Sequence, residues 1–310
     1  MSTNLVIYHQ TKTGVDCPDG ITSAAIAAEA LGNADLLGYC YNMPLPDIDW
    51  QKYKSIYVVD FSFPPDVMKA LLLKNSNSNV VVIDHHKTAA ENLKNITGCY
   101  SIFDLSRSAS ELTWDYFHPG KPCPGIVLYV GDRDMWKWNL PNSKEINCAL
   151  SNLRSRLGGK QVYQQYRSFS LEQLHNELLP LGQKIYQARQ QRIAELATSF
   201  KYGFDSINKE YFLVGEIPEI DSYLTSDLAE NLYLNELRPL GYVVIYGENS
   251  FGVSLRSRQG SGVDVSRIAK KFGGGGHFHA AGFSRKNLKE YPLRLTFWGQ
   301  VEGFIRKLFF

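Results

Sequence analysis

Apolar positions in the first half of the chain fall into short continuous runs separated by longer stretches of helical period. NLVIYH, ITSAAIAAEALG, SIYVVDFS, PDVMKALLLKNS and VVVIDHH follow one another in that order. Runs rich in β-branched residues, without polar alternation, mark strands buried on both faces, and helices between such strands impose parallel pairing through right-handed crossovers. The pattern predicts an α/β fold with a doubly wound, mainly parallel sheet. It continues through SASELTWDYF, read as a helix whose apolar face includes Leu112 and Trp114, and GIVLYVGD, read as another strand. On this reading four strands end on His9, on Asp60, on Asp84 to His86 and on Asp132.

From Ser170 to Phe200 the chain is helical in period and rich in Gln, Glu and Leu, which predicts a connecting helix or helix pair. EYFLVGEIP, GYVVIYGE and SFGVSLRS then read as strands, and VDVSRIAKKFGGGGH as a helix ending in glycines. The chain's 310 residues exceed what one core comfortably serves. The expected organisation is a first domain over residues 1–165, a helical connector over 166–200 and a second, smaller α/β domain over 201–310.

Composition narrows the function classes. At 44% hydrophobic and 21% charged the chain is an ordinary soluble globular protein, so disorder is not expected. A net charge of +2, from 33 basic and 31 acidic residues, supplies no general field for coating a polyanion, so any phosphate contact must be local. The five cysteines are scattered through the first half and never form a C-x-x-C pair, which fits a reducing compartment rather than a disulfide framework. The amino terminus MSTNLVIYHQ lacks a basic region followed by an apolar core, and no run approaches a membrane span. A cytoplasmic protein without membrane partners is expected.

In an open parallel sheet, ligands bind beyond the carboxyl ends of the strands. His9, Asp60, His85 and Asp132 would emerge at that edge, and Asp19 follows the first strand in the turn-like DCPDG. Carboxylates crowded at one edge repel unless a cation neutralises them, and nitrogen donors beside them favour Mn²⁺, Zn²⁺ or Fe²⁺ over calcium. A single acid at a strand end is more often a helix cap or turn former. Their repetition at successive strand ends predicts a divalent-metal site.

These motifs carry a resemblance. YH...CPDG, YVVDFS, VIDHH, YVGDRDMW and FGGGGHFHAAGF, in this order along the chain, are similar to the DHH phosphoesterase superfamily with its C-terminal DHH-associated domain. The resemblance implies two divalent ions, Mn²⁺ first, with Mg²⁺ and Co²⁺ as substitutes. By the same resemblance Asp60 bridges them, His9 holds one, and Asp19, His85 and Asp132 hold the other. His86 would face the scissile phosphate, and Asp84 would orient its neighbours. The first motif departs from the family pattern: HQTKTGVDCPDG is longer than usual, with Cys17 where an acid is expected. Asp16 substituting, Cys17 ligating as thiolate, and weak binding of one metal all remain open at this point. Asp134, in GDRDMWKW, is the alternative to Asp132.

The glycines of the second domain permit positive φ and close approach, and leave amides free to face an anion. No Gly-Lys-Ser/Thr follows, so this is not a Walker loop, and G-x-G-x-x-G is absent. The resemblance implies that Gly274, Gly275, Gly276 and His277 grip substrate. Arg256 offers a planar fork for phosphate, and Arg107, just downstream of the DHH segment, is a second substrate-binding candidate. Ser108 and Glu111 have capping-box spacing.

The expected activity is metal-dependent hydrolysis of phosphodiester or phosphomonoester bonds in short nucleotides or oligonucleotides, by metal-activated water in an interdomain cleft, with Asp84 and His86 in the catalytic group. Chain length and layout are similar to nanoRNases and phosphoadenosine phosphatases. Cyclic-dinucleotide phosphodiesterases share both modules, and a catalytically impaired nucleotide-binding regulator on the same scaffold is the alternative from another class. Oligomeric state, including a homodimer, is open.

Overall fold

The computed structural model describes residues 3–11, 14–40, 43–75, 79–205, 209–235, 240–247, 252–276 and 278–284. The chain divides into two compact units, Met1–Tyr186 and Gln187–Phe310.

The first unit opens with β1 (Thr3–His9), α1 (Pro18–Leu31), β2 (Ala34–Tyr39), β3 (Tyr53–Val59), α2 (Pro65–Lys74), β4 (Asn79–Asp84), α3 (Lys87–Leu93) and β5 (Tyr100–Phe103). The five strands pair entirely in parallel in the order β2-β1-β3-β4-β5. Two-residue periodicity divides each central strand between the faces. Leu5, Ile7, Ile56, Val58, Val80 and Val82 meet Met68 and Leu71 of α2 on one side. Val6, Tyr8, Tyr57, Val59, Val81 and Ile83 meet Ile21, Ala24 and Ala27 of α1 on the other. Both faces are buried, so the runs carry no polar alternation, and each fully buried Val or Ile contributes about 1.5–3 kcal/mol.

Helices complete the unit: α4 (Ala109–Phe117), α5 (Gly125–Asp134), α6 (Ser143–Leu157), α7 (Gly159–Tyr166) and the first part of α8 (Leu171–Ala197), which runs on into the second unit. The predicted strand GIVLYVGD is therefore helix α5. Its buried positions Ile126, Val127, Tyr129 and Val130 follow a helical spacing and pack with Ile146, Leu150, Val162 and Tyr163. A short apolar run has no periodicity that separates a buried strand from a buried helix, and here helical neighbours decided it. The sheet's remaining strands are β2 and β5, edge strands with little of the β-branched signal. The connector is a single helix, α8, with Pro180 inside it.

The second unit contains β6 (Lys201–Asp205), β7 (Glu210–Ile217), α9 (Thr225–Asn235), β8 (Tyr242–Gly247), β9 (Gly252–Arg256), α10 (Val265–Lys271), β10 (Gly275–Gly276) and β11 (Ala280–Ser284). They form a six-stranded sheet ordered β10-β11-β9-β8-β7-β6, parallel between β7 and β8 and antiparallel elsewhere. Leu213, Val243 and Ile245 pack with Leu228 and Leu232 of α9, while Val244, Val253 and Leu255 pack with Val265 and Ile268 of α10. Strands β6, β10 and β11 add to the three expected ones; their glycines hid them among turn signals. No helix of the described residues is long and apolar enough to cross a membrane.

Candidate metal centre

The strand order places a switch point between β1 and β3, where the crossovers leave in opposite directions and a crevice opens beyond the carboxyl ends. Tyr8 pairs with Val59, and Val59 with Ile83, so the three strands end in one row. The next residues along the chain are His9, Asp60 and Asp84. Asp60 turns out of β3 in the left-handed region, at φ 62, with its amide donating to the Ile83 carbonyl at 3.0 Å. A non-glycine residue held there costs on the order of 1–3 kcal/mol, a strain that concentrates at functional sites. Gly20 faces it closely: a Cβ at that position would lie 3.0 Å from Asp60 Oδ2 and from the His9 carbonyl.

Asp84 is fully buried and orders the DHH segment. Its Oδ1 accepts from the amides of His85 and His86 at 2.7 and 3.2 Å and meets His86 Nδ1 at 2.6 Å, while Ser62 Oγ donates to Oδ2 at 2.7 Å. Burial opposes charge on His86, but the Asp84 hydrogen bond and carboxylate outweigh it and raise the imidazole's pKa. The reciprocal bonds bring Asp84 below the usual carboxylate range despite its burial. His85 is directed elsewhere: its Nε2 lies 3.4 Å from Asp60 Oδ1 and 3.3 Å from Asp134 Oδ2.

Asp19 sits in the first turn of α1, fully buried, and accepts from the amides of Ala109 at 2.7 Å and Ser110 at 3.1 Å. These are orphan amides at the start of α4, where a carboxylate is favoured by both hydrogen bonding and the helix dipole. Ser108 caps that helix in a complete capping box with Glu111, as the spacing predicts. Of the two residues competing in the first motif, Asp16 is occupied by Tyr8 OH at 3.0 Å and Gln10 Nε2 at 2.9 Å. Cys17 instead precedes Pro18 at the start of α1, with its amide donating to the His9 carbonyl at 3.2 Å.

Asp132 and Asp134 part company because their segment is helical. Residues two apart on a helix do not share a face. Asp132 accepts from the amides of Asn139 at 2.9 Å and Leu140 at 3.4 Å, which ties down the turn after α5. Asp134, in the last turn, faces His85. Gly131 lets α5 approach α4, since a Cβ there would lie 2.7 Å from Ser108 Oγ and Glu111 Oε2. The structure thus gathers His9, Asp19, Asp60 and His85 with Cys17 and Asp134, and leaves Asp132 outside the group. The signal for Asp134 was the helical spacing of the apolar residues before it; Cys17 had only its place in the motif.

Three sets of donor atoms lie within 4.8 Å of one another: His9, Cys17 and Asp60; Asp60, His85 and His86; and Asp19, His85 and Asp134. Asp60 joins the first two. Its Oδ2 is buried with no hydrogen-bond partner, although His9 Nδ1 is only 3.8 Å away. The His–Asp separations of 3.3–3.8 Å are too long for charge-assisted hydrogen bonds, at about 2.7–2.9 Å. They suit donors sharing an ion, since ligands about 2.1 Å from a common centre at tetrahedral angles lie about 3.4 Å apart.

The electrostatics agree. Desolvation first, and the Asp19 charge next, push the Asp60 carboxyl well above the ordinary carboxylate value. Asp134 is raised too, by desolvation and then by Asp19 and Asp60. A quarter of its side chain stays open to solvent, which blunts the desolvation and leaves the neighbouring charges as the firmer cause. Desolvation, with His86 next, lowers His9 to about 4, so it is a neutral nitrogen donor at neutral pH. A buried acid without compensation, Asp60, beside the neutral imidazole of His9 suits a divalent cation.

Arg107 pairs with Asp115 at 2.7 Å. In the second unit, Arg256 reaches Ser226 Oγ at 3.4 Å and the Leu255 carbonyl at 3.0 Å, both uncharged. Burial draws its pKa down from the ordinary arginine value, though a guanidinium stays protonated. In the glycine loop, close packing explains two of the predicted positions. A Cβ on Gly274 would meet the Gly282 carbonyl at 2.1 Å, and one on Gly276 the Ala280 carbonyl at 2.5 Å, whereas Gly275 faces open space. His277 lies outside the described residues.

Residues 211–306 match the family model of the DHHA1 domain. An uncharacterized protein of Acanthamoeba polyphaga mimivirus is 28% identical over 308 residues, covering 92% of this chain and 68% of the relative. Among solved structures, the DHH-domain structure of a member of a family of ribosomal proteins aligns with TM-score 0.61 at 13% identity, over 99% of this chain and 86% of that one. RecJ from Thermus thermophilus, in complex with Mn²⁺, aligns with TM-score 0.51 at 16% identity; it covers 99% of this chain, which spans only 52% of RecJ. The second unit thus carries a match to the DHHA1 domain, and the parallel sheet that ends on the DHH segment has the fold of a DHH-domain structure.

Proposed function

We propose that the chain is a metal-dependent phosphoesterase that hydrolyses phosphodiester or phosphomonoester bonds of short nucleotide substrates with water as nucleophile. The observation that carries this reading is the convergence of donor groups on one buried carboxylate, Asp60, whose Oδ2 has no other partner. His9, Cys17 and Asp60 would hold one divalent ion, and Asp19, Asp60, His85 and Asp134 a second. Bound there, such ions would neutralise phosphate oxygens and lower the pKa of water towards neutrality. Mn²⁺ is the first candidate, with Mg²⁺ and Co²⁺ as substitutes.

The chain's own groups supply the rest. His86, held through Nδ1 by Asp84, whose carboxylate favours the charged imidazole, would in that form offer Nε2 as a hydrogen-bond donor to a phosphate oxygen or leaving group. Asp84, itself fixed by Ser62, acts through His86 and is a positioning residue. Arg256, with no charged partner among its described hydrogen bonds, and the open Gly275 are the substrate-binding candidates of the second unit. Arg107 would first have to leave Asp115. A net charge of +2 favours short substrates over long polyanions, whose binding draws on many phosphate contacts.

The test is hydrolysis with Mn²⁺ across dinucleotides, short oligoribonucleotides, 3′-phosphoadenosine 5′-phosphate, cyclic dinucleotides and pyrophosphate. Turnover of a nucleotide member, reduced to background in Asp60→Ala, is expected; undiminished turnover in that variant would overturn the mechanism. A second reading, a nucleotide-binding regulator that has lost turnover, is favoured by the thiol at Cys17. Its signature is nucleotide and metal binding without hydrolysis of any panel member.

A further inference from the structure

We infer that the two metal positions are chemically unequal: the group His9, Cys17 and Asp60 selects a thiolate-preferring divalent ion such as Zn²⁺ or Co²⁺, while Asp19, Asp60, His85 and Asp134 take a harder ion such as Mn²⁺. The inference rests on the metal-dependent reading above and adds to it which ion each position prefers.

The donor chemistry carries it. The first group offers nitrogen, sulfur and oxygen; the second joins one nitrogen, His85, to the carboxylates of Asp19 and Asp134, with Asp60 Oδ1 3.4 Å from that nitrogen. Thiolate selects zinc-like ions, whereas an oxygen-rich set suits manganese and magnesium. The placement of Cys17 excludes a helix-capping role for its side chain, because it stands at the N-cap of α1 and makes no side-chain cap bond. Ser, Thr, Asp or Asn would serve that position better by about 0.5–2 kcal/mol. Its backbone is pinned next to His9 through the bond from Cys17 N to the His9 carbonyl. Independently, Asp60 is 1% exposed and its Oδ2, which has no hydrogen-bond partner, lies 3.8 Å from His9 Nδ1 of the same group. The acid next to it in the chain, Asp16, accepts instead from Tyr8 and Gln10. On coordination the S–H bond breaks, the sulfur keeps the electron pair for the metal, and the proton passes to solvent; no oxidant or reductant is involved.

The experiment uses the full chain stripped of metal under reducing conditions and titrated with Co²⁺, whose thiolate complexes absorb by charge transfer in the near ultraviolet. The wild type is expected to show this band, Asp134→Asn to retain it and Cys17→Ser to lose it. Competition between Zn²⁺ and Mn²⁺ gives a second readout: in Cys17→Asp the preference for Zn²⁺ should fall by about tenfold or more. Circular dichroism checks that the variants fold, and Cys17→Asp decides the matter if Cys17→Ser does not. Two bound Co²⁺ ions without the band, or an unchanged preference in Cys17→Asp, would overturn the inference and leave metal dependence standing. A wild-type chain that binds neither Co²⁺ nor Mn²⁺ would overturn both.

Discussion

Asp60 leaves β3 at a positive φ with its buried Oδ2 lacking a hydrogen-bond partner; desolvation and the Asp19 charge raise its carboxyl further than His86 and the Cys17 thiol lower it. The pH dependence follows from the signs. Asp60 and Asp134 have folded-state pKa values above the usual 3.8, so the metal-free fold keeps protons that the unfolded chain releases, and its stability falls as pH rises above that value. His9, lowered from 6.5 to about 4, works in the opposite sense: it costs nothing above 6.5 and costs stability as pH falls through that window. Metal displaces protons from the acids and needs His9 neutral, so the rise in Tm on adding Mn²⁺ should be larger at about pH 8 than at about pH 5.5. Equal increments would contradict the assignment of these ligands. Asp132 and Asp134 separate by a second measurement. Asp134→Asn should weaken metal binding in a calorimetric titration, whereas Asp132→Asn should keep it and lower stability by about 1–3 kcal/mol, through poorer acceptance from Asn139 and Leu140.

At the scale of elements, α4 links stability to the site. Its capping box at Ser108 and Glu111 sets the first turn, and the amides of Ala109 and Ser110 in that turn hold Asp19. Ser108→Ala should cost about 0.5–2 kcal/mol in denaturant unfolding. It should also weaken metal affinity, although Ser108 touches no ligand atom of the metal groups; unchanged affinity would uncouple the cap from Asp19. The capping box was legible because it is local, three residues apart. The bonds between α4 and Asp19 join residues about ninety positions apart, which no local pattern specifies. For the same reason VVVID and SIYVV read as strands from their own composition, whereas GIVLYV needed the helices around it to become α5.

At the scale of the whole molecule, every proposed metal ligand lies in the first unit, Met1–Tyr186, which has its own cores on both faces of its sheet. Binding that favours the native state stabilises by about 2.7 kcal/mol at a hundred times Kd. That stabilisation should appear as slowed amide exchange at the ends of β1, β3 and β4 and the starts of α1 and α4, with little change in β7 to β9. Slowed exchange across both units alike would mean that metal acts on the chain as a whole, against this placement.

The sequence by itself determined the α/β class, the buried parallel strands and the residues His9, Asp60 and Asp84 to His86 at their ends, because burial on both faces writes an unbroken apolar run whose exit is visible. It also carried Asp19, Cys17 and both acids of GDRD, without ranking Cys17 against Asp16. Only the tertiary structure brought Cys17 and Asp134 to the group, because that depends on competing partners: Tyr8 and Gln10 take Asp16, the amides after α5 take Asp132, and the donors left over are Cys17, beside His9 and Asp60, and Asp134, beside Asp19 and His85.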